Sequence, residues 1–375
     1  MACQLKFLSV SLFTLSLLLV SPSSQSQYWK GYGDLRLDHL FRDGEHRELN
    51  DVWRGRLRVG LKYESDDFGH WETRLATNYI SNGENSEIDL SFSYPSADEV
   101  NKGFTTLDRF YWQKRWSKFD MRVGRFTHKS TLKSSAGLSF DSKNEIATAI
   151  DWTDGIELNY YPVDDWKLQF LLRHEAEDRP TSVRRSPLTF NESASRSSYR
   201  IELANEPKDS IFVQRTLAFS YFPDSLPRIE NENDLPQLKD YSAVNGKLVV
   251  GHSVTNGRLI WGIEAGYLFK TPHPTTVGLT DDKEANEWSY QTLIGWQDFI
   301  PGHKIELNYS ESSPAWFISP NFSPNRKMTL LSYFWFESNY FIEFAGIRFS
   351  PKVKYEEEAR NGTDNIILLR WNLAF

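Results

Sequence analysis

From residue 27 onward the chain alternates apolar and polar residues at a period of two. Leu49, Asp51, Trp53, Gly55, Leu57, Val59, Leu61 and Tyr63 hold the odd positions, and Asn50, Arg54, Arg56, Arg58, Lys62 and Glu64 hold most of the even ones. A helix would mix these sets around its circumference, whereas a strand sends them to opposite faces. Trp71, Thr73, Leu75, Thr77 and Tyr79 alternate with Glu72, Arg74 and Asn78. Leu259, Trp261, Ile263, Ala265, Tyr267 and Phe269 alternate with Gly262, Glu264 and Gly266, and His303, Ile305, Leu307 and Tyr309 with Lys304, Glu306 and Asn308. The pattern predicts an all-β chain of about sixteen strands. Mixed parity near 243–253 and 340–349 leaves fourteen or eighteen open.

The connections alternate as regularly as the strands. Short turns are expected at 65–69, 116–118, 161–165, 205–210, 254–257 and 299–302. Long polar stretches lie between them at 81–103, 127–149, 175–197, 223–240, 271–286 and 311–326. One-sided loop lengths are the mark of a transmembrane antiparallel up-and-down β-barrel, with short periplasmic turns and long outer loops. Both termini then lie on the periplasmic side. The final strand presents Ile367, Leu369, Trp371, Leu373 and Phe375 on one face. An apolar edge at a chain terminus invites aggregation unless it is paired, so this strand is expected to close the barrel against Trp29 to Leu40.

Residues 1–26 read as a secretory signal peptide. Lys6 supplies a positive charge, Leu5 to Val20 is apolar, Pro22 breaks the run, and Ser24 and Ser26 precede a cleavage site before Gln27. Residues 27–375 form the barrel. The single cysteine, Cys3, falls in the leader, which leaves no disulfide framework and no thiolate metal site in the remainder. Mean hydropathy is −0.53, and after residue 26 no apolar run approaches the roughly 20 residues a membrane helix needs. Yet 15% of the residues are aromatic, which suits a barrel that shows apolar side chains on one face only.

Charge gives the first candidate chemistry. Arginine facing hydrocarbon at the membrane midplane costs about 2–4 kcal/mol, so the even-numbered cations of the second strand are expected to face a wet lumen. By parity the inward basic set is Arg36, Arg54, Arg56, Arg58, Lys62, Arg74, Arg109, Arg115 and Arg122. Such cations repel unless water, anionic partners or passing anions lie nearby. A solvated wall balanced by Asp and Glu fits the same residues. Glu157, Glu202, Glu264 and Glu306 are predicted inward on the far half, where basic residues are fewer. Aromatics near predicted strand ends, Trp53, Tyr63, Trp71, Tyr79, Trp261 and Tyr267 among them, fit interface girdles better than a sugar track. No G-x-S-x-G, H-E-x-x-H or P-loop motif occurs, and the histidines are scattered, so no catalytic residue, cofactor or metal is assigned.

Arg54-Gly55-Arg56-Leu57-Arg58-Val59-Gly60-Leu61, Arg74-Leu75-Ala76-Thr77, Leu107-Asp108-Arg109-Phe110-Tyr111, Val123-Gly124-Arg125-Phe126, Phe140-Asp141-Ser142 and Asp154-Gly155-Ile156-Glu157-Leu158, in this order, resemble the porin families of Gram-negative bacteria. More distantly they resemble the phosphate-selective porins, whose lysine-rich motifs do not align here. The resemblance spans residues 50–160. It implies a water-filled channel in the outer membrane, trimeric, passing small polar solutes or ions, and surrounded by outer-membrane lipids and lipopolysaccharide. In sixteen-stranded porins the third long loop folds inward and narrows the pore. Residues 127–149 occupy that place, and Asp141 and Glu145 would then face the arginine wall. A loop lying outside as a lid is the other reading. The terminal Trp371, Leu373 and Phe375 resemble the signal read by the outer-membrane assembly machinery. A passive diffusion porin preferring anions is the expectation, and nucleic acid is not expected as a partner. The alternative is an outer-membrane enzyme of lipase or protease type, or an adhesin, with a plugged lumen.

Overall fold

A computed structural model describes residues 27–45, 47–80, 105–140, 150, 152–176, 187–191, 193–207, 210–228, 237–279, 287–319 and 324–375. The signal-peptide assignment lies outside these residues. Sixteen antiparallel strands close into one barrel, each pairing with its sequence neighbours and the last with the first. They are β1 (Gln27–Gly44), β2 (Arg47–Ser65), β3 (Gly69–Ile80), β4 (Thr105–Arg115), β5 (Phe119–Phe126), β6 (Thr153–Tyr160), β7 (Trp166–His174) and β8 (Ser197–Asn205), followed by β9 (Phe212–Arg228), β10 (Gln237–Ser253), β11 (Arg258–Leu268), β12 (Trp288–Gln297), β13 (His303–Glu311), β14 (Arg326–Phe336), β15 (Tyr340–Pro351) and β16 (Asp364–Ala374).

Parity decides which way each side chain points. Along β2, Trp53, Leu57 and Leu61 are exposed on the outside, while Arg56 is buried inside. The same outward apolar face continues through Leu75, Val123, Ile156, Phe170, Ile201, Leu217, Ile263, Ile294, Leu307, Leu331, Phe344 and Leu369. A surface this apolar over a whole closed barrel is stable only if water is kept from it. Near the turn side, outward aromatics meet across strands: Trp29 lies 5.0 Å from Tyr63, Phe119 stacks on Tyr160 at 4.9 Å, and His303 stacks on Trp335 at 6.0 Å.

The short connections lie on the side of the termini, as at 66–68, 254–257 and 298–302. Gly257 and Gly302 supply the left-handed backbone two of these turns need (φ +89° and +80°). The stretch 223–240 differs from expectation. β9 runs on to Arg228 and β10 begins at Gln237, so these strands stand tall and most of the expected loop is strand.

The seam is closed by backbone pairing from Asp34↔Ala374 to Gly44↔Asp364. Beyond the strand, Gly33 N–H donates to the Phe375 carbonyl at 2.8 Å, and Phe375 N–H donates back to Gly33 at 3.0 Å. A Cβ at position 33 would collide with the Phe375 ring. The terminal aromatic therefore has a fitted seat on the first strand.

Candidate functional site

The interior is divided into two unlike halves, and the segment after β5 makes the division. Residues 127–140 run into the barrel and bind the inner wall of β6 to β13. His128 Nδ1 lies 3.0 Å from Glu157 Oε2. Ser130 Oγ donates to Glu202 at 2.6 Å and receives Lys247 Nζ at 2.6 Å and Arg200 Nη2 at 3.1 Å. Gln214 bridges the backbone of Thr131 and Lys133. At the tip, Glu306 accepts from Ser135 N–H at 2.7 Å, Ser134 Oγ at 3.0 Å and Ala136 N–H at 3.3 Å. On the return, Glu264 accepts from Ser139 Oγ at 2.8 Å and Phe140 N–H at 3.1 Å.

The far-half glutamates thus act as anchors. Each buried carboxylate is satisfied by loop donors or by a neighbouring cation, the condition for burying it at all. His128 is fully enclosed. Burial holds its imidazole below the ordinary histidine range, and Glu157 opposes that shift in part. Asp141 and Glu145 lie outside the described residues.

A second inward segment, which the sequence pattern had placed in a long polar loop, shares this half. Ala315, Trp316, Phe317 and Ile318, between β13 and β14, are buried inside the barrel. With Leu138 and Phe140 of the first segment and Leu188 and Phe190 from the β7–β8 connection, they pack on inward apolar residues of β9 to β16: Phe222, Leu226, Tyr241, Ala243, Leu268, Met328, Leu330, Ala345, Ile347 and Leu368. Trp316 Nε1 donates to the Phe140 carbonyl at 2.9 Å, and Tyr241 Oη donates to the Ala315 carbonyl at 2.8 Å. The wet lumen expected beside the charges of the second strand does not extend around the whole wall. On this half the wall faces a protein core instead of water. That core also explains the mixed parity of β10 and β15, where Ala243, Ala345, Ile347 and Phe349 turn inward.

The other half, β16 through β5, carries the charged wall. Arg54 pairs with Asp38 at 3.2 Å. Asp34 accepts from Arg58 at 2.6 Å and from Arg56 at 3.5 Å. Arg36 stands directly opposite Arg56 in the ladder. Arg74 grips Asp108 with Nε at 2.9 Å and Nη2 on the second oxygen. Arg109 meets Glu72 at 2.5 Å, and Lys62 lies 3.8 Å from the same carboxylate. Arg122 sits 3.9 Å from Glu157 and over the ring of Tyr111. Arg36, Arg56 and Arg74 are buried, while Arg54, Arg58, Lys62, Arg109 and Arg122 keep part of their surface open to the interior.

Arg115 stands apart from the rest. It ends β4 beside the 116–118 turn, exposed, with its guanidinium 5.4 Å over the Tyr161 ring. It belongs to the rim by the termini and not to the wall. The wall also holds residues that sequence reasoning passed over. Arg370 on β16 forks onto Asp38 at 2.8 and 3.1 Å and reaches Glu343 at 2.7 Å. Asp108 faces inward together with Arg109 because a bulge opposite Arg74 and Leu75 inserts an extra residue. Among the described residues no cluster of three or more His, Cys, Asp or Glu side chains could hold a metal ion.

No family model matches the chain, and no curated protein matches it. Solved structures do. The barrel is similar to the high-pH structure of OprB from Pseudomonas putida, with TM-score 0.60 at 10% identity, over 92% of this chain and 94% of that one. It is similar to OccK8 (OprE) from Pseudomonas aeruginosa, with TM-score 0.54 at 9% identity, over 92% and 98%. It is also similar to OmpF from Salmonella typhi, crystallised with daunomycin, with TM-score 0.54 at 11% identity, over 95% and 100%. What the chain shares with these proteins is the fold, a closed β-barrel; its own barrel closes with sixteen strands.

Proposed function

We propose that the protein is an outer-membrane channel for passive diffusion of small hydrophilic solutes and ions, with a preference for anions. The observation that carries this reading is the asymmetric interior. The acidic half is covered by residues 127–140, whose own N–H and hydroxyl groups occupy its carboxylates. The uncovered half bears the arginines, and basic side chains outnumber carboxylates on the inward face of β1 to β5. A narrow passage with a low-dielectric wall on one side and fixed cations on the other favours anions. The outward apolar face supports a membrane setting, and the one-sided loop lengths support periplasmic termini. A homotrimer belongs to the same reading.

The plugged-barrel alternative draws on one specific observation, the apolar core under Trp316 and Phe317. That core is built mainly on β9 to β16, with Leu40 of β1 at its edge, whereas among the described residues the buried apolar groups on β3 to β5 form only two small clusters, Ala76 with Ile150 and Trp152, and Tyr111 with Phe126 and Leu171. Conductance of the purified protein in planar bilayers separates the two. A channel gives discrete ohmic steps, and a plugged barrel gives none. Cross-linking or sedimentation in detergent reads the oligomer.

A further inference from the structure

We infer that Lys62 is a specificity-determining cation at the turn-side end of the charged wall, and that Glu72 and Tyr111 are the positioning residues that hold it available. The inference rests on the channel reading for its purpose, since an available cation acts only if ions pass. It rests on the geometry around Glu72 for its existence.

Glu72 gathers groups from several strands. Its Oε1 accepts from Tyr32 Oη of β1 and from Arg109 Nη1 of β4, the latter at 2.5 Å. Its Oε2 accepts from Tyr111 Oη of β4 at 2.6 Å and lies 3.4 Å from His70 Nε2. Tyr32 reaches across β2 because Gly60 leaves the space: a Cβ there would overlap the tyrosine ring. An ionised carboxylate offers about four lone-pair positions, and Tyr32, Arg109, Tyr111 and His70 stand at them. Lys62 faces Glu72 directly in the ladder and yet finds no place on it. Its Nζ stands 3.8 Å from Oε2, beyond hydrogen-bond reach, and lies 4.5 Å over the Tyr32 ring.

Exposure follows from that crowding. The Glu72 side chain is 2% exposed, that of Arg109 21% and that of Lys62 32%. The residue opposite Lys62 on β1 is Lys30, which cannot neutralise it. Arg109 and Lys62 thus carry equal formal charge and unequal weight. A cation in contact with its carboxylate acts on a passing ion as a dipole, whereas one held off from it acts as a charge.

Acetylation of Lys62 by acetic anhydride, read by mass spectrometry on the detergent-solubilised full-length chain, tests the positioning without reference to conductance. Tyr111→Phe keeps the ring beneath Arg122 and removes only the hydroxyl. The vacated position on Oε2 then falls to Lys62, whose labelling should slow at least about threefold, the worth of one net hydrogen bond. Glu72→Gln removes the charge and should speed labelling by a similar factor, which keeps the test open if Tyr111→Phe does not assemble. Reversal potentials across a KCl gradient read the consequence. Lys62→Met should lower the chloride preference at least about twofold more than Arg109→Met, although each removes one positive charge. Unchanged labelling in Tyr111→Phe and Glu72→Gln, or equal effects of the two Met variants, overturns the inference. Altered labelling in a protein that conducts no ions leaves the positioning and overturns the channel. Conductance with unchanged labelling overturns the positioning and leaves the channel.

Discussion

The indole of Trp316 fills the place a side chain at Gly266 would need: a Cβ there would overlap the six-membered ring. The same indole donates to the Phe140 carbonyl at 2.9 Å. One residue thus joins the two inward segments to each other and to β11. Gly266→Leu should expel the indole, and Trp316→Ala should leave a cavity costing about 3–5 kcal/mol locally. Both variants are expected to keep a heat-resistant barrel while residues 127–140 become open to limited proteolysis. Unchanged protection in both would show that the contact does not hold the segment.

Glu306 anchors the tip of the inward segment, with two backbone N–H groups and one hydroxyl on its carboxylate. Hydrogen bonds to a charged group contribute about 1.5–3 kcal/mol each. Glu306→Ala removes all three, and Glu306→Gln keeps acceptor capacity on one oxygen. Single-channel recordings should show a larger and noisier conductance for Ala, with Gln intermediate. Identical traces for all three proteins would mean that the tip does not set the width of the passage.

How much of this was legible in the chain depended on what each face of a strand meets. β2 was readable because its two faces meet opposite environments, an apolar exterior and the charged interior wall. β10 and β15 were not, since Ala243, Ala345, Ile347 and Phe349 face a protein core inside the barrel. The alternation that marks a strand vanishes where both faces are apolar. The run Ala315-Trp316-Phe317-Ile318 is the available signal for that core, four consecutive apolar residues in an otherwise polar stretch. The arginines were visible by parity. Their partners Asp34, Asp38 and Asp108 were not, because cross-strand register and the bulge at Asp108 are properties of pairing and not of any one segment.

His128 gives the account a pH dependence. Burial lowers its folded pKa below the ordinary 6.5, with Glu157 opposing in part. The unfolded chain therefore binds more protons than the folded one between the folded value and 6.5. Stability is lost as pH falls through that window and is untouched above it. The difference in thermal midpoint between the native protein and His128→Gln should be constant from pH 8 to 7 and change below about pH 6.5, the native protein losing more. A difference that stays flat to pH 5 would contradict the burial argument.

Phe375 tests the seam. Its backbone bonds Gly33 in both directions, and its ring covers the space above that glycine. Deleting Phe375, or replacing Gly33 with Val, should lower the yield of folded barrel and its resistance to heat in detergent gels, without changing the conductance of the fraction that assembles. A full yield from both variants would remove the terminal residue from the account of closure and assembly.

The central claim is that solutes pass along the arginine wall, and the reversal potential across a KCl gradient in planar bilayers tests it most directly. The account predicts a stable conductance whose reversal potential favours chloride, moving toward potassium when Arg54, Arg56 and Arg58 are changed together to Gln. No conductance, or a potassium preference that the triple variant leaves unchanged, would contradict it.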